Sequence, residues 1–151
     1  MPVLTVERRI SAPVDRVYAL ARDVERFPEI MPDVESVEIL SREGSNTTSR
    51  WVGVVRQFNR RLVWVEEDRW DNGAHTCEFR QTEGDFARYE GSWEFTPDGD
   101  ATRARLTIDY EIEVPLIGAL IKGVIAKLMR GNCEGMLTAL AQAAESSAGN
   151  A

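Results

Sequence analysis

Residues 116–145 read LIGALIKGVIAKLMRGNCEGMLTALAQAAE and predict a long helix that closes the chain. At 3.6 residues per turn, most apolar side chains share one face and the charged side chains share the opposite face. The apolar face comprises Ile117, Ile121, Val124, Ile125, Leu128, Met136, Ala139 and Ala143. Asn132 falls inside that face, and Gly131 and Gly135 lie at its edge. Each glycine costs a helix interior ~1 kcal/mol relative to alanine, so this composition favours a helix that covers a cavity.

Short strands precede this helix. An opening strand over residues 4–10 leads into a helix for which Ser11 is available as a cap and Pro13 lies near the first turn. Residues 34–114 then alternate between apolar and polar, with turn signals at 42–46, 71–73, 83–85 and 97–100. In the last segment Ile108 and Tyr110 share one side and Asp109 the other. The pattern predicts an antiparallel meander with one dry face.

A twisted sheet with one apolar face must bury it, and the closing helix is the long amphipathic element available. We therefore predict an α+β fold in which a curved antiparallel sheet wraps around the C-terminal helix, with two short helices after the first strand. The length of 151 residues predicts a single domain spanning residues 1–151, and residues 146–151 read as a disordered tail.

Composition narrows the classes of partner and compartment. The formal net charge of -7 opposes the positive surface that nucleic-acid binding requires. Cys77 and Cys133 lack metal-ligand spacing and read as reduced, buried thiols, so no metal or other cofactor is predicted. Residues 1–10 lack the pattern of a signal peptide, which predicts a cytoplasmic protein. The apolar stretch at 116–129, interrupted by Lys122 and Lys127, is too short to span a bilayer; peripheral contact stays open.

Four segments carry a resemblance to a known superfamily. They are residues 10–14 (ISAPV), 23–29 (DVERFPE), 84–86 (GDF) and 89–95 (YEGSWEF). With the order of elements, they resemble the START-like (SRPBCC) superfamily, nearest to the branch of polyketide cyclases/dehydrases and coenzyme Q-binding START proteins, with relatives among ribosome-association toxins. The resemblance implies a helix-grip fold of Bet v 1-like type, in which a seven-stranded sheet grips the last helix and leaves a deep pocket for an apolar ligand.

The resemblance also implies roles for particular residues. Arg69 matches the key pocket arginine of aromatase/cyclases and Arg80 a second one, Trp93 matches a wall tryptophan, and Phe27 and Met31 match apolar positions at the mouth. The tyrosine proposed to assist the chemistry falls at Val34, so its hydroxyl is missing. Asp33 and Val34 also stand where the coenzyme Q-binding and toxin relatives tend to have tryptophan and cysteine. The chain departs from each subfamily at this point.

The residues themselves leave the two arginines open. Arg69 could polarise a ligand carbonyl from within the pocket, or it could lie on the surface beside Glu67 or Asp68. Arg80 shares its side of the strand with Glu78, which favours exposure, and a bulge would be needed to turn it inward. The acidic run Glu66-Glu67-Asp68 lacks the spacing of a metal site and reads as a solvated edge.

Trp93 shares its side of a strand with Tyr89 and Phe95, so we expect it inside, as core or as ligand wall. Gly91 beside it is consistent with a space that a ligand could enter. Asn132 could bind a ligand carbonyl or hydroxyl, or it could satisfy a backbone group or a buried water. A buried amide without a partner costs ~1–3 kcal/mol, so we expect it to have one.

We therefore predict a module that binds a hydrophobic small molecule, such as a lipid, a quinone or a polyketide-like compound, between the sheet and the closing helix. The predicted contact residues are Phe27, Met31, Trp64, Arg69, Arg80, Tyr89, Trp93, Tyr110, Leu128 and Asn132, with Arg69 as the catalytic candidate. The alternatives are a polyketide aromatase/cyclase or dehydratase that uses a pocket arginine, and an interaction protein of the ribosome-association toxin type. The sequence leaves the ligand and the oligomeric state open.

Overall fold

A computed structural model describes residues 3–55, 59–112 and 119–149, and it shows a curved antiparallel sheet with a long helix against its inner face. The strands are β1 (Val3–Ile10), β2 (Val34–Glu43), β3 (Asn46–Val55), β4 (Arg60–Asp71), β5 (Thr76–Gly84), β6 (Arg88–Asp98) and β7 (Ala101–Glu111). The helices are α1 (Val14–Arg22), α2 (Phe27–Ile30) and α3 (Ala119–Gly149), with a 3₁₀ turn at Val24–Arg26. The predicted fold class is confirmed.

The sheet order is β1-β7-β6-β5-β4-β3-β2, so each strand from β2 to β6 pairs with the next along the chain and β1 pairs with β7. All four predicted turns connect neighbouring strands. At the turn after β5, Gly84 has a φ of +150°, and a Cβ there would lie 2.5 Å from the Cα of Trp64. Only glycine allows the end of β5 to cross β4 this closely.

The buried face of α3 is rotated from the predicted one. The buried side chains are Cys133, Leu137, Ala139, Leu140, Ala141 and Ala144, with Ile125, Met129 and Met136 partly buried against the core. Val124 is 40% exposed, and Ala143 is half-buried. Ile117 and the side chain of Ile121 lie outside the described part of the chain. Apolar residues occupy two adjacent stripes of this helix, and the position of the sheet selects between them.

The two glycines of α3 do not form a cavity wall. Gly131 and Gly135 are exposed, and a Cβ at either would meet open space. The prediction that they thin the wall of a cavity is therefore wrong, although Asn132 between them does face inward.

Both ends of α3 differ from expectation. The predicted start at residue 116 lies outside the described residues, and the helix continues through the predicted tail to Gly149. No proline interrupts residues 146–149, and glycine at the end is a common helix stop. Ser11 does not cap α1; its backbone N–H donates instead to the carboxylate of Glu145 at 2.9 Å, which ties α3 to the start of α1.

Both cysteines are buried and free, as predicted. Among residues 3–55, 59–112 and 119–149, no helix has the length and apolar character needed to cross a membrane. The same residues contain no group of three or more His, Cys, Asp or Glu side chains placed to hold a metal ion.

Candidate functional site

A cavity of about 80 Å³ lies between the inner face of the sheet and α3. The sheet contributes Val34, Trp51, Gly53, Val54, Val55, Leu62, Trp64, Glu66, Phe79, Tyr89, Trp93 and Leu106, while Asp33 and Phe86 come from connecting segments. The helix contributes Met129, Asn132, Cys133 and Met136. The predicted cavity exists, but its volume is well below the ~300 Å³ at the lower end of ordinary ligand pockets. A larger ligand would have to displace lining side chains.

Aromatic rings form most of the sheet side of this cavity. Trp51 and Trp64 stack with their centroids 5.8 Å apart, and the ring of Phe86 meets Trp64 edge-on at 5.5 Å. Tyr89 lies 4.6 Å from Phe86 and 5.2 Å from Trp64. Phe86 is held there by two hydrogen bonds between its backbone and the side-chain amide of Gln81. These contacts fix an aromatic wall on the sheet side of the cavity, which suits an apolar ligand.

Two acidic side chains lie on this same inner face. Glu66 and Asp68 are each only 4% exposed, whereas Glu67 between them is exposed. The prediction that residues 66–68 form a solvated edge is therefore wrong for two of its three members. The signal was present in the sequence: Glu66 and Asp68 share the parity of Trp64 and Trp70, and large apolar residues at alternate positions mark the buried face.

A hydrogen-bond network satisfies these buried carboxyl groups. Trp64 Nε1 donates to Glu66 Oε1 at 2.8 Å, and Ser49 Oγ donates to Asp68 Oδ2 at 2.8 Å. Thr47 Oγ1 also donates to Asp68 Oδ2 at 3.2 Å, and Trp51 Nε1 donates to Ser49 Oγ at 2.8 Å.

The carboxyl groups of Glu66 and Asp68 also interact, and each shifts the pKa of the other. The network runs through β3 and β4, and Glu66 is the member that lines the cavity.

The electrostatics of the pair favour a retained proton. Burial raises the pKa of Glu66 well above its ordinary value, and the charge of Asp68 raises it further. Burial also raises the pKa of Asp68, opposed by hydrogen bonds from Glu66, Ser49 and Thr47 that stabilise the charged form. Two adjacent buried carboxylates cannot both ionise cheaply, so the pair favours a retained proton, and the pKa of Glu66 is the one raised further.

The polar side chains of Tyr89, Cys133 and Asn132 also line the cavity. Burial raises the pKa of the Tyr89 hydroxyl well above its ordinary value. Burial raises the pKa of the Cys133 thiol to about 12, which makes it a poor nucleophile. Asn132 is half-buried and lines the cavity, and its amide forms no hydrogen bond to any other residue that the structure describes. The expected protein partner for this amide is thus not found among those residues.

Arg69 and Arg80 lie on the outer face of the sheet, so the place in the cavity that the resemblance implied for them is wrong. Exposure is the alternative that the residue pattern left open for Arg69 and favoured for Arg80. Arg69 is opposite Glu78 and Arg80 is opposite Glu67 across β4 and β5, with N···O distances of 3.9 and 3.8 Å. They border an open polar groove of about 690 Å³ on that face. β4 alternates strictly from Leu62 to Trp70, which places Arg69 outside. The β4–β5 ladder has a register shift between Val65 and Glu66, and Arg80 still lies on the outer face opposite Glu67.

Trp64, Tyr89, Trp93 and Asn132 line the cavity as predicted, whereas the remaining four candidates do not. Phe27 and Met31 are each 1% exposed and belong to the core behind the wall, where the ring of Phe27 meets Trp51 at 5.7 Å. Tyr110 is buried on the inner face of β7 opposite Tyr89, and it is not one of the lining residues. Leu128 is half-buried, and its neighbour Met129 lines the cavity in its place because the helix face is rotated.

Two further positions clarify the shape of the site. A Cβ at Gly91 would lie 2.0 Å from the carbonyl oxygen of Thr107 and 2.9 Å from the Phe79 ring. Gly91 therefore serves close packing, and the prediction that it leaves room for a ligand is wrong. Val34 does line the cavity, so an apolar side chain stands where the resemblance implied a missing hydroxyl.

Comparison with known proteins gives three informative matches. The family described as polyketide cyclase / dehydrase and lipid transport matches residues 10–137. A putative polyketide cyclase from Streptomyces cyaneus is 32% identical over 108 residues, which cover 71% of each chain. The crystal structure of TTHA0849 from Thermus thermophilus is 41% identical and has a TM-score of 0.92, covering 97% of this chain and 99% of that one.

A fourth match concerns the fold alone. The Zhui aromatase/cyclase from Streptomyces sp. R1128 is 22% identical, with a TM-score of 0.87 and coverage of 95% of this chain and 93% of that one. At this identity the similarity extends to the arrangement of strands and helices. It does not carry over the residues of a site.

Proposed function

The chain belongs to the family of polyketide cyclases/dehydrases and lipid-transport proteins, within the START-like superfamily, and from that premise we propose that it binds a hydrophobic small molecule in the cavity between the sheet and α3. The observation that carries the proposal is a cavity with an aromatic wall, whose lining also includes the polar side chains of Glu66 and Asn132. Apolar walls with a few placed polar groups are the usual form of a small-molecule site.

The ligand class follows from the lining. Ring faces of Trp51, Trp64 and Tyr89 favour a flat or conjugated molecule, and the amide of Asn132 supplies both a donor and acceptors for a carbonyl or hydroxyl group. Quinones, polyketide-like compounds and lipids with a polar head all meet these requirements. Met129 and Met136 on the helix side can change rotamer at little cost, which offers a way to widen the cavity for such a ligand.

Tryptophan fluorescence provides the test, because three of the four tryptophans line the cavity. The intact protein would be titrated with a panel of fatty acids, a naphthoquinone and an anthraquinone. We expect saturable quenching by at least one class. Val34→Phe fills the cavity and should weaken binding, whereas Leu40→Phe changes an exposed position on the same strand and should not.

A protein that binds no member of the panel and carries no apolar molecule in native mass spectrometry would contradict the proposal. So would equal binding by Val34→Phe and the unmodified chain. Purification from the native host, with separation of cytoplasmic and membrane fractions, would also test the predicted cytoplasmic location.

The second candidate function is polyketide cyclisation or dehydration. It is favoured by the 32% identical relative named a putative polyketide cyclase and by the buried carboxyl group of Glu66 in the cavity. Because Arg69 faces solvent, Arg69→Ala should leave any such activity unchanged. The measurement is the product distribution from a poly-ketone substrate with and without the protein, and an unchanged distribution would contradict this second function.

A further inference from the structure

We propose that Glu66 acts as both proton donor and proton acceptor in the elimination of water from a β-hydroxy ketone held in the cavity. The inference rests on the proposed binding function and develops its catalytic alternative. It assigns the chemistry to a carboxyl group on the inner face of β4 instead of an arginine. Asp68, which lies behind Glu66, is a positioning residue in this assignment.

The surroundings of Glu66 support a role in proton transfer. Its carboxyl group lines the cavity, Trp64 Nε1 donates to its Oε1 at 2.8 Å, and the neighbouring Asp68 raises its pKa. Further titratable groups facing it are Tyr89 on β6 and Cys77 on β5.

Asp33 and Cys133 complete the titratable part of the lining, and the described lining residues include no Arg, Lys or His. Glu66 is therefore the described lining group with both a proton to give and, once ionised, a base strong enough to regain it.

The proposed step balances around a single carboxyl group. The carboxylic acid of Glu66 gives its proton to the β-hydroxyl group as the C–O bond breaks, and that hydroxyl leaves as water. The C–H bond at the α-carbon breaks, its electron pair forms the new C=C bond, and its proton passes to the Glu66 carboxylate. Glu66 returns to its starting state, so the step needs no second base and no redox partner.

Asn132 and Asp68 have supporting parts. The Asn132 amide lines the same cavity and can donate to the ketone oxygen, where negative charge develops as the α-proton leaves. Asp68 holds the Glu66 proton in place, and its fixed charge, held by Ser49 and Thr47, keeps Glu66 protonated. The aromatic wall excludes water, which strengthens both electrostatic effects.

The test uses the aldol adduct of benzaldehyde and acetone, whose dehydration to benzylideneacetone is followed by ultraviolet absorbance. Binding of the adduct is measured separately by tryptophan fluorescence, and circular dichroism checks that each variant is folded. We expect Glu66→Gln to bind the adduct but lose about 10²-fold or more of the rate, the usual contribution of a positioned acid-base group. Glu67→Gln, on the exposed face, is the matched control and should keep the full rate.

A pH profile separates a chemical role from a structural one. Because the protonated form of Glu66 starts the step, the rate should fall as pH rises through its pKa. Asp68→Asn removes the neighbouring charge that raises this pKa, so the falling limb should move to lower pH.

The outcomes distinguish the inference from the binding function. Failure of the unmodified protein to bind the adduct or any ligand of the panel would overturn the binding function. Binding without dehydration, an unchanged rate in Glu66→Gln, or a limb that does not move in Asp68→Asn would overturn the role of Glu66 alone.

Discussion

The two faces of β4 carry the same kinds of residue and behave in opposite ways. On the outer face, Glu67 and Arg69 are exposed and pair across the strands with Arg80 and Glu78. On the inner face, Glu66 and Asp68 are buried and hydrogen-bonded to Trp64, Ser49 and Thr47. Four consecutive charged positions thus divide into two environments. Position in the pleat, and not residue type, decides which can act on a ligand.

The energetics of the two faces differ for the same reason. Exposed ion pairs with N···O distances of about 4 Å are screened by water, and each contributes roughly 0–1 kcal/mol to the stability of the fold. Buried carboxyl groups lose hydration, and the loss is large unless hydrogen bonds or a retained proton replace it. A protein keeps such a pair at a cost in stability, and functional sites are where costs of this kind are commonly found.

The largest change in unfolding free energy should come from a substitution on the inner face of β4. Trp64→Ala removes the stacking partner of Trp51 and the donor to Glu66, so we expect a loss of about 3–5 kcal/mol in unfolding free energy. Urea denaturation measures it. Glu67→Ala on the outer face should change the value by less than about 0.5 kcal/mol, and equal effects at the two positions would contradict the contrast between faces.

A smaller loss of unfolding free energy is expected for a substitution on β3, at the serine that bonds Asp68. Ser49→Ala deprives Asp68 of a donor and leaves the Trp51 indole N–H without its acceptor, which should cost about 1–3 kcal/mol. The control is Ser41→Ala, an exposed serine on β2. Thermal unfolding of both variants would sharpen the comparison, and a neutral Ser49→Ala would show that the network does not stabilise the fold.

The carboxyl pair itself should make stability depend on pH. A carboxyl group with a raised pKa in the folded state stabilises the fold fully below its unfolded pKa of about 4.3, and this contribution is lost as pH rises through the folded pKa. Glu66→Gln should therefore be more stable than the unmodified chain at alkaline pH by about 1.4 kcal/mol for each unit of the raised pKa.

The gain in Glu66→Gln should disappear near pH 4, where both forms are neutral. Denaturation at several pH values measures it. A stability difference that stays constant with pH would show that Glu66 has an ordinary pKa.

The smallest effects should belong to the outer face. Arg69→Ala and Arg80→Ala each break one exposed ion pair and should change unfolding free energy by less than about 0.5 kcal/mol. Ligand quenching of tryptophan fluorescence should be unchanged in both. A marked loss of binding in Arg69→Ala would place that side chain near the ligand and break the contrast between the two faces.

Much of the architecture could be predicted from local pattern. The strands, their turns and the closing helix follow from the alternation of residues such as Leu106 and Ile108 and from turn residues at fixed places. The inward position of Trp64, Tyr89 and Trp93 follows from the same period of two. Such features depend on neighbours within a few residues, so the local sequence pattern is enough to predict them.

The site was less predictable because it depends on contacts between distant elements. The roles implied by the family resemblance placed Arg69 in the cavity, whereas the strict alternation of β4 places Glu66 there. Glu66 and Asp68 were expected to face solvent because they are charged. The hydrogen-bond donors that make the burial of Asp68 tolerable come from a different strand, so the local sequence does not show them. Phe27 and Tyr110 show the same difficulty, because an apolar residue in the core cannot be told from one lining a cavity by pattern alone.

The sequence by itself determined that a one-sided antiparallel sheet must bury its face against the closing helix, because no other element could cover so much apolar surface. Tertiary structure alone decided which stripe of α3 meets the sheet, which put Met129, Asn132 and Cys133 at the cavity and left Gly131 and Gly135 in solvent. It also decided that Glu66 and Asp68 lie together in a buried hydrogen-bond network. Both outcomes depend on which groups approach through space, and that proximity is set only when the sheet curves around the helix.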